Sequence, residues 1–376
     1  MALTVGPSYP KRLILSILVR LLARNISDAK VPIDPAAPLK ILIVELWNIG
    51  DVVLLVPFLK QLRAKFPLSH LTLLARPHAR TILDGTGLID EVIDDASAGE
   101  NWLSLNPLDA SWPHLRKIRQ RLEAGHFDLA FQNRLHIREY VIVAMSRASR
   151  RVGYSLGDSA GLLTDAIPVG DPNRHRSDDW LRLLEPFGGP VALEQGSLRL
   201  SDDEQNAAAK TLEDLGLGDT ETLVGIHPGA SVVEKRWDLA SFNETARILS
   251  ARPDTRVLVF VDPSGYGESL GQIDGVISAR VGLRDLMALI GRCSVFVGND
   301  SGPMHIAGAL GVPTVSIFGE GVERWFAPMG SDHQILGAKT VSVDTVVAAV
   351  EHAIEKPITR QDSGKSPPST PPLRSS

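Results

Sequence analysis

Cys293 is the only cysteine in a chain of 376 residues, so no disulfide can close within it and no cysteine cluster can hold a metal. A reducing cytoplasm is the compartment that fits this usage. Positive charge is also short: the formal net charge is -5, which gives no field of the kind that draws a protein onto nucleic acid. No Asp-x-Asp pair occurs anywhere, and that removes a common metal-binding signature. No Gly-x-Gly-x-x-Gly follows the first strand-like run, where "LWNIGDVV" stands instead, which argues against a dinucleotide-dependent oxidoreductase. The "SGKS" near the carboxyl end is not a phosphate loop, because Thr359 occupies the place of the required first glycine and no strand precedes it. Near the amino end, "KRLILSILVRLLAR" (11–24) falls far short of the ~20 apolar residues of a spanning helix. With Lys11, Arg12, Arg20 and Arg24 interleaved among its leucines, it reads either as a basic amphipathic helix for an anionic membrane surface or as an accessory helix packed on the body.

What is present is ordinary for a compact protein: 44% hydrophobic and 22% charged residues, in a length that suits two domains of ~100 to 200 residues each. Apolar runs alternate with helical patterns, the signature of βαβ units and a parallel sheet, and they do so twice. In the first half, 39–46 reads as a strand, 51–67 as a helix, and 71–75, 91–95 and 128–133 as further strands. The second half restarts with strands at 222–228, 255–261, 293–299 and 314–318 and helices near 239–252 and 343–355. Between them stand the polar stretch "GDPNRHRSDD", a short helix "WLRLLEPFG" and a Pro/Gly break. The expected class is α/β, with two Rossmann-like domains facing a cleft. An amino-terminal extension (1–35) precedes the first domain (36–190) and the second (191–357), and a Pro/Ser-rich tail (358–376) has too little to bury to be ordered.

Three strand-to-helix junctions carry the polar chemistry. In "VFVGNDSGPMHIAGALGVPTVSIFG" (295–319) the strand ends at Asn299, Asp300 and Ser301 can cap, and Pro303 suits a first helical turn, where its missing N–H is harmless. Gly302 lets a phosphate approach the backbone at a helix N-terminus, while Asp300 suits sugar hydroxyls. The same residues serve equally as an ordinary capped helix. In "ELWNIGDVVLLVPFLKQL" the first strand turns through Asn48, Ile49 and Gly50 into a helix beginning at Asp51. That carboxylate is either a cap favoured by the helix dipole or, opposite the phosphate platform of the other domain, a general base for a hydroxyl. In "GIHPGASVVEKRWDLASF", Gly229, Ala230 and Ser231 form a loop. Lys235 beside Arg236 is either a solvated pair or the cation that neutralises a phosphate leaving group.

Together these stretches resemble the lipopolysaccharide heptosyltransferase family, glycosyltransferase family 9, over about residues 39–355. "RASRRVGY" (147–154) is similar to the family's arginine-glycine strand start. The resemblance implies the glycosyltransferase B fold and an inverting, metal-independent transfer of a heptose or related sugar from a nucleotide diphosphate, ADP-heptose. The acceptor it implies is a hydroxyl of a lipopolysaccharide core or similar glycolipid or polysaccharide, met at the inner face of the plasma membrane. No cofactor is implied beyond the nucleotide-sugar co-substrate, and no nucleic acid partner.

Residue by residue, the resemblance implies Asp51 as the catalytic base and Lys235 as the lysine near the donor phosphates. Asp300, Ser301, Gly302 and Pro303 become the donor platform, with Gly229 and Ser231 beside it. His305, one helical turn further on, is either a donor residue or a packed helix histidine. The acceptor side falls to Asn48, Gly50, Arg134, His136 and Arg138, the last three from "NRLHIRE" (133–139), which departs from the family's usual small polar residues. Glu320 stands where the family has proline, and "VDPSGYGES" replaces its glycine-rich segment, which leaves the ribose contact unassigned. A sugar-binding or scaffold protein that kept the fold and lost turnover is the alternative.

Overall fold

The computed structural model describes residues 29–95, 111–155, 157–190, 198–217, 222–319, 322–330 and 332–355. The amphipathic segment 11–24, the tail 358–376 and Glu320 lie outside the described residues. Among the described residues, six parallel strands form the sheet of each half. In the first, β1 (Lys40–Glu45), β2 (His70–Ala75), β3 (Glu91–Asp94), β4 (Leu129–Gln132), β5 (Arg150–Ser155) and β6 (Asp165–Pro168) lie in the order β3-β2-β1-β4-β5-β6. In the second, β7 (Thr222–His227), β8 (Thr255–Phe260), β9 (Val276–Ala279), β10 (Val295–Asn299), β11 (Thr314–Phe318) and β12 (His333–Gly337) repeat it as β12-β11-β10-β7-β8-β9. Parallel sheets are covered on both faces, so their central strands must be apolar throughout. Ile41, Leu42, Ile43 and Val44 are accordingly all buried, and so is every residue of β10.

The helices are α1 (Ile49–Lys65), α2 (His78–Leu83), α3 (Ser111–Gly125), α4 (Ile137–Met145), α5 (Arg176–Arg182), α6 (Asp202–Asp214), α7 (Leu239–Ser250), α8 (Leu283–Ile290), α9 (Gly302–Ala309), α10 (Glu323–Phe326) and α11 (Val343–Glu355). Two sequence expectations need correction. The first helix begins at Ile49 rather than Asp51, because Asn48 is its N-cap and Asp51 is its third residue. The short helix expected from Trp180 begins four residues earlier, at Arg176, after the His175 cap. The polar run "RSDD" is the first turn of that helix, where acidic residues favour a helix start. The strands β6, β9 and β12 went unread because they are short and only partly buried.

Helix α5 packs on α1, and α6 packs on α8. The largest buried cluster runs from Ile43 on the first sheet through Val53 of α1 to Met304 of α9 and Phe296 of the second sheet. The two halves therefore share one apolar seam. Strand order reverses between β1 and β4 and again between β7 and β10, so a crevice opens beyond the carboxyl ends of each pair, where such sheets bind ligands.

Candidate active site

Beyond β1 the chain turns through Trp47 and Asn48 into α1. Asp51 reaches back so that its Oδ2 accepts the Asn48 N–H at 3.2 Å, the cap geometry that the sequence allows. Its other oxygen takes a hydrogen bond from Arg134 Nη2, which arrives from the loop after β4. Burial pushes the Asp51 carboxyl up, but the charge and hydrogen bond of Arg134 outweigh it and hold Asp51 below the usual carboxylate range. Around this pair the structure gathers residues that sequence reasoning missed. Glu45 and Glu139 are fully buried, and Trp47 joins them: its backbone N–H donates to Glu45 Oε1 at 3.1 Å and its indole N–H to Glu139 Oε1 at 2.8 Å. Burial pushes Glu45 up to about 8 and Glu139 up to about 7, against the pull of Arg134. The Arg134 guanidinium lies 5.0 Å from the Trp47 ring centre. Asn48 accepts from Arg76 Nη1 at 3.1 Å, and His136 caps α4 by accepting the Arg138 N–H at 3.3 Å.

In the second half Ser301 takes the N-cap position of α9, yet its hydroxyl makes no cap bond and instead meets His227 Nδ1 at 3.2 Å. Burial holds the His227 imidazole down at about 4, against nearby Asp262, so it is neutral near pH 7. Asp300 is buried and paired twice, with Lys235 Nζ at 2.6 Å and with His305 Nε2 at 3.5 Å. Burial raises its carboxyl, but the bonds from His305 and Lys235 prevail and keep it low. Asn299 fixes the preceding loop: Oδ1 accepts the Trp237 N–H at 2.9 Å and Nδ2 donates to Pro228 O at 2.7 Å. Gly229 is pressed against His227 and Asp262, and Ser231 stands exposed on the loop. Pro303 sits in the first turn of α9, where no N–H is needed.

The two crevices face one another. A Cβ on Gly50 would lie 2.5 Å from His305 Cδ2, and one on Gly302 would lie 2.7 Å from Ile49 Cβ. Only glycine lets the helix starts of α1 and α9 meet this closely. Away from this seam, His175 Nε2 meets Ala327 O at 2.9 Å, Arg324 Nη1 donates to Asn173 Oδ1 at 2.6 Å, and Trp325 Nε1 donates to Pro172 O at 2.5 Å. Phe326 lies between Arg176, at 5.5 Å from its ring centre, and Lys235, at 5.9 Å.

The family model described as glycosyltransferase family 9 (heptosyltransferase) matches residues 115–351, more than half of the chain. The chain belongs to glycosyltransferase family 9. It is a glycosyltransferase, and its two parallel-sheet halves form the glycosyltransferase B fold. Lipopolysaccharide heptosyltransferase 3 of Escherichia coli is 25% identical over 288 residues, covering 72% of this chain and 80% of that protein. A family 9 glycosyl transferase from Veillonella parvula superposes with a TM-score of 0.73 at 23% identity, over 85% of this chain and 99% of the other. ADP-heptose lipopolysaccharide heptosyltransferase II of E. coli superposes at 0.68 with 19% identity, over 84% and 98%.

For this family 9 chain the structure brings Asn48, Gly50, Asp51, Arg134, His136 and Arg138 to one crevice and Gly229, Lys235, Asp300, Ser301, Gly302 and His305 to the other. The arginines of "RASRRVGY" do other work. Arg150 grips Asp165 through Nε at 2.6 Å and Nη2 at 2.7 Å, while Arg151 donates to Leu162 O and Ala148 O. That motif ties β5 to the segment that leads into β6. In "VDPSGYGES", Asp262 Oδ1 accepts the N–H groups of Ser264 and Tyr266, and Arg236 lies 4.2 Å from the Tyr266 ring centre. Among the described residues no group of three or more His, Cys, Asp or Glu side chains has metal-site geometry, and no helix is long and apolar enough to cross a membrane.

Proposed function

We propose that this glycosyltransferase moves a heptose from ADP-heptose to a hydroxyl of a lipopolysaccharide core or similar glycolipid, with inversion at the anomeric carbon and without a metal ion. The observation that carries this reading is the meeting of the two helix starts, which sets Asp51 on one wall of a cleft and Lys235 with the α9 N-terminus on the other. The donor pyrophosphate lies against Ser301 and Gly302, where the helix dipole and backbone N–H groups favour anions. Lys235 meets the charge that develops on the leaving diphosphate. Asp300 positions Lys235 and His305, so it acts on the donor through them as well as through the sugar hydroxyls. Asp51 takes the proton of the acceptor hydroxyl as that oxygen bonds to the anomeric carbon and the bond to the diphosphate breaks.

Purified protein given ADP-heptose and a heptose-deficient lipopolysaccharide core is expected to release ADP and form the inverted linkage, read by nuclear magnetic resonance, in excess EDTA. Loss of turnover in EDTA with recovery on adding magnesium overturns the metal-free route, and no transfer from ADP-heptose overturns the donor assignment.

Lys235→Ala should weaken ADP binding by roughly 10- to 100-fold, since a charge-assisted hydrogen bond contributes about 1.5 to 3 kcal/mol. Calorimetric titration with ADP checks this. Unchanged affinity returns Lys235 to a role as the partner of Asp300 alone.

A further inference from the structure

The pairing of Asp51 with Arg134 sets a problem for a general base. A base works best when its proton affinity suits the working pH, and a guanidinium bonded to the carboxylate lowers that affinity. Two other carboxyl groups lie near the same guanidinium. Glu45 ends β1 and Glu139 sits in the first turn of α4. Both are fully buried, both are held by Trp47, and each keeps one oxygen, Oε2, with no hydrogen-bond partner among the described residues. Arg134 Nε is likewise buried without a partner among the described residues. Three carboxyl groups thus interact electrostatically with one arginine, and among the described residues Asp51 is the one that accepts its hydrogen bond.

We infer that Glu45 and Glu139 are positioning residues for the transfer, which compete with Asp51 for Arg134 and so decide how strongly Asp51 accepts the proton of the acceptor hydroxyl. The inference rests on the reading of Asp51 as the base. When both glutamates carry protons, the Arg134 charge is committed to Asp51, which is then a weak base. When they ionise, they offer Arg134 other partners and repel the Asp51 charge, and both effects raise the proton affinity of Asp51. The atoms balance without a further reactant: Asp51 gains the hydroxyl proton, and the glutamates only change charge beforehand.

Arg76 and His78 face the cluster from the end of β2 and the start of α2, Asp95 from beyond β3, His136 and Arg138 from α4, and Arg176 and Asp179 from α5. Burial pushes His78 and His136 below the ordinary histidine value, so both are already neutral where the glutamates titrate, from about 7 to about 8. Arg134, its proton held more tightly by the surrounding carboxylates, stays charged across that range.

The test is the pH dependence of kcat from pH 6 to 9 for wild type, Glu45→Gln, Glu139→Gln and the double variant, with melting temperature and ADP affinity as controls. Wild-type kcat is expected to rise through pH 7 to 8. The glutamines mimic the protonated acids, so the double variant should stay near the low-pH plateau, on the order of tenfold below wild type at pH 8.5, with ADP affinity unchanged. Glu139→Asp should restore the rise. A wild-type profile in the double variant overturns the inference, and so does a drop that is the same at every pH, which is what a purely structural role gives. Asp51→Asn separates the two levels: if it retains turnover, the reading of the base fails, and if it is inactive while the glutamine variants keep the wild-type profile, only this inference fails.

Discussion

Asp51→Asn should lower kcat by about 100- to 10,000-fold, the span that a positioned general base supplies, while ADP affinity stays close to wild type. The capping role of this side chain survives the change, although the bond from Arg134 to its other oxygen does not. Its Oδ2 accepts the Asn48 N–H, and an asparagine oxygen can keep that bond and hold the start of α1. What asparagine cannot do is take a proton. Nucleotide binding should not suffer, since the Lys235 and Ser301 wall belongs to the other half of the chain. Arg134 loses a charged partner but retains Glu45 and Glu139 beside it. Initial rates with saturating donor, together with ADP titration, check the split. More than about a tenth of wild-type turnover would leave Asp51 as a helix cap only and move the base elsewhere.

Arg150→Ala should destabilise the first half by about 3 to 5 kcal/mol, the usual effect of removing one partner from a buried ion pair. Arg150 grips Asp165 with two nitrogens, gives its third to Val31 O at 3.1 Å, and lies 5.2 Å from the Phe187 ring centre. Asp165 is only 5% exposed, so its charge would lose its bidentate partner with little water to replace it. The melting temperature of the first half should fall by on the order of 10 °C. Truncating Asp165 as well should recover part of the loss, because the uncompensated charge is then gone. A single variant that melts within about 2 °C of wild type would show that Lys30, 3.5 Å from Asp165, suffices as its partner.

How much of this was legible in the chain depends on which physical signal each residue leaves. The β-branched runs at 39–46 and 295–299 reveal buried parallel strands because both faces of the sheet demand apolar residues. Gly50 and Gly302 showed that something comes close, although the sequence suggested a phosphate and the structure shows each glycine also facing a side chain of the opposite half. Glu45 leaves a signal in the sequence: a carboxyl side chain closing the apolar run Ile41–Val44 falls at a buried position. Glu139, Arg134 and Trp47 could not be grouped from sequence, since the loop after β4 and the turn after β1 lie some ninety residues apart and meet only because those strands are neighbours in the sheet. The role of Asp300 was half read. Its place in the motif was clear, but its pairing with Lys235 depends on a loop whose path no local pattern fixes.

Asn299 has a mechanical consequence. A single amide ties both ends of the loop from Gly229 to Arg236 to the end of the strand that leads into Asp300, so Lys235, Asp300 and Ser301 belong to one stiff frame. A rotation of one half against the other would leave that frame intact, while it strains the shared apolar seam and the hydrogen bonds from His175, Arg324 and Trp325 across the halves. The stretch between the tied ends is free to differ in length and chemistry. With Val232 45% and Val233 70% exposed, that stretch is a place where sequence can drift, or a probe be attached, while the lysine keeps its aim.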